Sequence, residues 1–185
     1  MASFQKEKSS GTNNSFPIDY IIQNSKARKS HYDLSKIRCP ELKRIKSAFF
    51  KKWFDQTPVT ISETDQIIFR FSTSDKYYFF DYVDSDSVFF CSILEYMDDC
   101  HTFRMYHFTI DKRRQLVVHA DWIATQSHKS GYSVDDRLSY DPKGNKLTVN
   151  SKIICAFHNF GRRMKSVRET FRFSLNGTTR KTFKR

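Results

Sequence analysis

Beyond Pro58 the chain alternates apolar and polar residues with a period of two, as half-buried strands do when successive side chains face opposite ways. In "IIFRF", Ile67, Phe69 and Phe71 share one face. In "YYFFDYV" both faces are apolar, with Tyr77, Phe79 and Val83 opposing Tyr78, Phe80 and Tyr82. That strand and the next, at 88–94, are therefore expected at the centre of a sheet covered on both sides. The alternation continues with Phe103, Met105 and His107 against Arg104, Tyr106 and Phe108, then with Leu116, Val118, Ala120 and Trp122. It resumes with Leu147, Val149, Ile153, Cys155 and Phe157, and ends with Phe171, Phe173 and Leu175 opposite Arg168, Thr170 and Arg172. Turn formers separate these runs at 72–75, 84–86, 98–99, 111–112, 141–145 and Asn176-Gly177.

Upstream, the period changes to that of a helix. Leu42, Ile45, Phe49 and Trp53 form one stripe, with Pro40 suited to a first turn, Glu41 near the positive end of the dipole and Lys51 and Lys52 near the negative end. A helix is expected over 40–54, with Lys46 inside its apolar arc. Residues 1–38 lack periodicity and read as a basic, polar, partly disordered arm, which the cluster Phe16, Ile18, Tyr20 to Ile22 could pin to the body; 39–185 reads as a single domain. Short connections without βαβ spacing imply an antiparallel arrangement. The expected class is α+β, mostly β: a curved antiparallel meander sheet or barrel of about seven or eight strands, with one N-terminal amphipathic helix packed on it.

Composition changes one part of this picture. Only 38% of the 185 residues are hydrophobic, but 18 are Phe and 9 are Tyr, so the core should be aromatic. Charge adds a functional expectation. Residues 1–55 carry 12 Lys+Arg against 5 Asp+Glu, 56–110 carry 3 against 9, and 111–185 carry 17 against 6. The +12 net charge thus sits at the two ends of the chain, and a basic field favours polyanionic partners. The candidate contacts are Lys26, Arg28 and Lys29 in the arm, Lys43 and Arg44 on the helix, Arg162, Arg163, Lys165, Arg168 and Arg172 in "GRRMKSVRETFRF", and Arg180, Lys181, Lys184 and Arg185 at the C-terminus. Lys and Arg neutralise phosphates, and exposed aromatics can stack on bases.

Candidate chemistry is sparse. Cys39, Cys91, Cys100 and Cys155 show neither zinc-finger nor Cys-x-x-Cys spacing. A turn at Asp98-Asp99 would set Cys91 opposite about Tyr106, too far along the ladder to bridge Cys100. Cys91 and Cys155 read as buried thiols, or as a disulfide if their strands adjoin and the protein is exported. Cys100 and His101 are adjacent and would point to opposite faces of a strand. His119 and Asp121 share a strand face and, with His107, form the one hydrolytic or metal candidate. No phosphate-cradling glycine loop fits the 5 glycines.

These observations point to a non-enzymatic binding protein, without metal or cofactor, whose basic arm and C-terminal strand region contact nucleic acid or another polyanion such as an acidic protein. The alternative is an exported lipocalin-like or lipoprotein-like domain that takes a small apolar ligand or a protein partner. No run long enough to cross a membrane is present. Taken as full length, the chain is expected in the cytoplasm or nucleus; with a signal peptide removed, it would be secreted or periplasmic.

Overall fold

The computed structural model describes residues 15–38, 41–62, 65–97, 102–129, 132–157 and 161–184, with the side chains of 128–129, 156–157, 161–163 and 184 left out. Cys39, Asp98, Asp99, Cys100, His101 and Arg185 lie outside the described residues. The elements are helix α1 (Ile18–Asn24), strands β1 (Lys26–Ala27) and β2 (His31–Asp33), a short 3-10 turn at Leu34–Lys36, helix α2 (Ser47–Trp53), and strands β3 (Thr57–Thr60) and β4 (Gln66–Phe69). There follow β5 (Asp75–Asp84), β6 (Val88–Met97), β7 (Thr102–Asp111), β8 (Leu116–Lys129), β9 (Tyr132–Tyr140), β10 (Lys146–Phe157), β11 (Gly161–Ser174) and β12 (Gly177–Lys184).

The protein is α+β and mostly β, built on an antiparallel meander in which β5 to β12 pair in sequence order. The details differ from the sequence expectation. Among the described residues the sheet has twelve strands, it is not closed into a barrel, and it is mixed, because β1 joins β5 and β3 joins β8 in parallel. The strands beyond those read from the alternation are β1, β2 and β3, whose two to four residues leave too little pattern to read, and the longer β9 and β12, whose sequences are mostly polar. The expected helix over 40–54 is only Ser47–Trp53, and α1 is an additional one. Residues 43–45 instead run along the outer edge of β5: Ile45 N donates to Tyr77 O at 2.7 Å, and Phe79 N donates to Lys43 O at 3.0 Å. An open sheet edge needs backbone partners, and supplying them outweighs a weak helical stripe.

The meander folds into two layers at β8–β9, where only Ser127 to Lys129 pair with Tyr132 to Val134. β5 and β6 are covered on both faces, as their two apolar faces predict. On one face Tyr77, Phe79, Phe89, Cys91, Ile93, Tyr106 and Phe108 pack against α1, α2 and the β3–β4 hairpin. This core is aromatic: Phe50 meets Tyr77 at 4.3 Å between ring centroids, Phe69 meets Tyr106 at 4.4 Å and Phe54 meets Phe108 at 4.8 Å. On the other face Tyr78, Phe80, Phe90, Leu94 and Met105 meet Leu138, Tyr140, Leu147, Val149, Phe171 and Phe173 of the second layer. The space a closed barrel would leave for a ligand is therefore filled at its centre by side chains.

A bulge in β5 reverses part of the expected alternation. Register passes from Phe79 opposite Ile93 to Tyr82 opposite Cys91, so Phe80 and Asp81 together face the single residue Ser92. Tyr82 moves to the helix-covered core and Val83 to the inter-sheet core, the reverse of strict alternation. The bulge also aims Asp81 inward, where the fully buried carboxylate receives Arg28 Nε at 3.1 Å and Arg28 Nη2 at 3.0 Å. The same guanidinium donates to Ser92 Oγ at 3.2 Å and Gly144 O at 2.9 Å, contacts His107 Nδ1 at 3.3 Å, and lies 4.3 Å from the Tyr140 ring centroid. Burial is the largest influence and works against its charge, but the attraction and hydrogen bonds of Asp81, together with Tyr140 and Tyr32, outweigh it and hold the Arg28 pKa above its ordinary value. Gly144 suits this turn because its φ is +68° and a Cβ there would stand 2.6 Å from Val83 Cγ2.

Candidate functional site

The outward face of the second layer is where the basic residues converge. Phe171 and Phe173, 1% and 2% exposed, point into the inter-sheet core and lock the register of β11, so that Arg168, Thr170 and Arg172 must point outward. Lys146 of β10 stands opposite Arg172, and Arg172 opposite Thr179 of β12. Thr170 stands opposite Lys181, and Arg168 opposite Phe183. Lys146, Arg168, Thr170, Arg172, Thr179, Lys181 and Phe183 line one furrow of about 730 Å³. Residues two apart on a strand lie about 7 Å from one another. A cation from one strand or another therefore recurs at each step along the furrow. Lys152, exposed on the same face of β10, extends the series. Among the described residues, none of Lys146, Arg168, Arg172 and Lys181 forms an ion pair.

β12 lies in the opposite sense to the one its sequence suggests. An apolar residue such as Phe183 would ordinarily turn inward and take Lys181 with it, leaving Arg180 outside. Instead Arg180 faces inward: its Nε and Nη2 donate to Glu169 Oε1 at 3.0 and 2.7 Å, its Nη1 donates to Ile61 O, and its guanidinium carbon lies 5.1 Å from the Phe171 ring centroid. Thr182 Oγ1 adds a bond to the same Glu169 oxygen at 3.0 Å. With Arg180 clamped, Lys181 and Phe183 are turned out, and Phe183 remains 52% exposed.

The other predicted contacts distribute differently. Arg28 is a correction: its side chain is 2% exposed and is committed to Asp81, so it cannot serve as a surface clamp. Arg180 is a second correction, for the reason just given. Lys26 and Lys29 are exposed beside β5, and Lys43 and Arg44 are exposed along its edge, not on a helix. They stand on other elements than β10–β12, and none of them lines the furrow. Lys165 is exposed but falls on the opposite side of β11 from Arg168. Arg162 and Arg163 stand at the start of β11, opposite Ala156 and Cys155, and Lys184 ends β12; the side chains of all three fall outside the described residues, as does Arg185. Lys146 and Phe183 were missed. Alternation from the inward Leu147 could have placed Lys146, whereas no local signal places Phe183.

The hydrolytic candidates share a face but not a site. His107 is opposite Asp121, and Thr109 is opposite His119. His107 stacks at 3.7 Å on Phe173, and burial, helped by the nearby positive Arg28, pushes its pKa well down, so the ring is neutral. His119 Nε2 meets Leu175 O at 3.1 Å, and Asp121 accepts from Thr178 Oγ1 at 2.7 Å. These contacts tie β8 to the β11–β12 hairpin. Among the described residues, no group of three or more His, Cys, Asp or Glu is placed to hold a metal, and no helix is long and apolar enough to cross a membrane. Cys91 and Cys155 are free thiols, one in β6 of the first layer and the other in β10 of the second. Cys91 stands opposite Phe108, not Tyr106, because the connection spans 98–101; burial pushes its thiol pKa up.

A second groove, of about 390 Å³, opens where the layers part and is lined by Trp122, Arg104, Asp136, Ser151 and Arg180 among others. Asp136 is 4% exposed, accepts from Thr125 N at 2.6 Å, and is pushed by burial up to about 6. Because its folded pKa lies above its unfolded one, the folded state holds this proton more tightly. The resulting stabilisation is complete below about pH 4 and is lost as pH rises through about 6. Asp136→Asn is expected to remove up to about 3 kcal/mol of stability change over that interval, read from urea midpoints against pH.

Comparison with protein-family models, curated proteins and solved structures gave no match. The fold and the furrow define a class only: a mostly β, α+β protein carrying a cationic sheet face.

Proposed function

We propose that the protein is a non-enzymatic binder of polyanions, with nucleic acid as the partner, and that the furrow across β10, β11 and β12 is the contact surface. The observation that carries this reading is the convergence of Lys146, Arg168, Arg172 and Lys181 on one furrow without ion-pair partners among the described residues. Unpaired cations this close repel one another, and a phosphate chain relieves the repulsion while releasing its own counterions. Regular β structure behind the furrow holds the cations at fixed spacing, so little ordering is needed on binding.

Each neutralised phosphate of a single strand contributes about −0.7 to the slope of log affinity against log salt, so four contacts give a slope of about −3. Affinity for a labelled oligonucleotide, followed by fluorescence anisotropy, is expected to fall roughly 50-fold between about 50 and 200 mM salt. Affinity that stays constant over this range would remove the proposal. A cytoplasmic or nuclear location belongs to the same proposal.

A further inference from the structure

The furrow contains one residue that charge alone does not explain. Phe183 is an apolar ring, 52% exposed, on a face otherwise formed by Lys, Arg and Thr. Its outward position is built: Glu169 binds Arg180 and Thr182, both on the inner side of β12, and so turns the strand with Phe183 facing out. A strand free to choose would bury Phe183 and expose Arg180, since burying an aromatic ring is favourable and Arg is rarely interior. A local rule broken and held broken by a specific ion pair is typical of functional positions.

We infer that the furrow takes single-stranded nucleic acid, with Phe183 as a stacking platform for a base and its register neighbours Arg168 and Lys181 on the flanking phosphates. This inference rests on the polyanion reading above and names its ligand. Arg168 lies directly across the ladder from Phe183, and Lys181 precedes it by two residues on the same face, which is about 7 Å along the strand. A ring with cations about 5 to 7 Å away presents a π-face and phosphate-binding charge to one nucleotide step. In a duplex the base faces are already stacked on one another, so the ring has no free face to meet. A sulfated polysaccharide has no π-face at all.

The test compares the wild type with Phe183→Ala and Phe183→Trp. The probes are labelled oligo(dT), oligo(U), a duplex of equal charge and heparin, at one fixed salt concentration. Phe183 is largely exposed, so the Ala variant is expected to fold, and its circular dichroism should overlay the wild type. The Ala variant should lose roughly 5- to 100-fold in affinity for the single strands, with heparin binding unchanged and Trp restoring the loss. The oligo(dT) and oligo(U) arms separate DNA from RNA. If the Ala variant binds single strands as well as the wild type, or loses heparin equally, this inference fails while the polyanion reading stands. If the wild type binds none of the four probes, both fail.

Discussion

Arg28→Met is expected to destabilise the protein by about 3 to 5 kcal/mol, the usual consequence of removing one partner from a buried ion pair. Asp81 is fully buried, and without the guanidinium its carboxylate would face Phe80 and the inter-sheet core uncompensated. The loss should spread beyond the pair. Arg28 joins β1 to β5 and β6 through Asp81 and Ser92, to the β9–β10 turn through Gly144 O, and to β9 through the Tyr140 ring. Urea unfolding followed by Trp53 and Trp122 fluorescence measures the effect. Adding Asp81→Asn to Arg28→Met should recover a large part of it, since the orphaned charge is then gone. A single variant within about 1 kcal/mol of wild type would show that the network does not hold the layers together.

The triple variant Arg168→Gln, Arg172→Gln, Lys181→Gln is expected to weaken oligonucleotide binding on the order of 50-fold at physiological salt and to flatten the log–log salt slope by about 2. These side chains are exposed and have no ion-pair partner among the described residues, so stability should be unchanged or slightly improved by lower self-repulsion. The pair Lys43→Gln, Arg44→Gln, on the edge of β5, is the control. It removes two charges that do not line the furrow and should leave the slope unaltered. Equal effects from both sets would mean that net charge, not the furrow, drives association. Arg180→Gln belongs to neither set, because this residue fixes the sense of β12 through Glu169; its effect should appear first in stability.

The legibility of this protein follows the range of the interactions involved. In β11, alternating Phe171 and Phe173 oppose Arg168, Thr170 and Arg172, and that local pattern is enough to say which side chains meet solvent. The aromatic core and the doubly covered β5 and β6 were readable for the same reason, as were the turns at 84–86, 111–112, 141–145 and Asn176-Gly177. Amphipathic alternation is a property of neighbouring residues, and burial follows it closely.

Other features depend on partners far away in the chain. Residues 43–45 carry a helical stripe yet pair with β5, because that edge would otherwise expose backbone groups. Arg28 reads as one more charge in a basic arm, and only the bulge that aims Asp81 inward, 53 residues later, makes it interior. Arg180 and Lys181 are adjacent and alike in charge, and their opposite fates turn on Glu169 across the ladder. The sequence by itself determined the class of the fold, the aromatic nature of its core and the arginine face of β11. Only the tertiary structure decided that the sheet stays open and doubles back, and which basic residues gather in one furrow. The reason is physical: alternation fixes the two faces of each strand locally, whereas which strand lies alongside, and whether a charge meets water or a buried carboxylate, is settled by contacts distant in sequence.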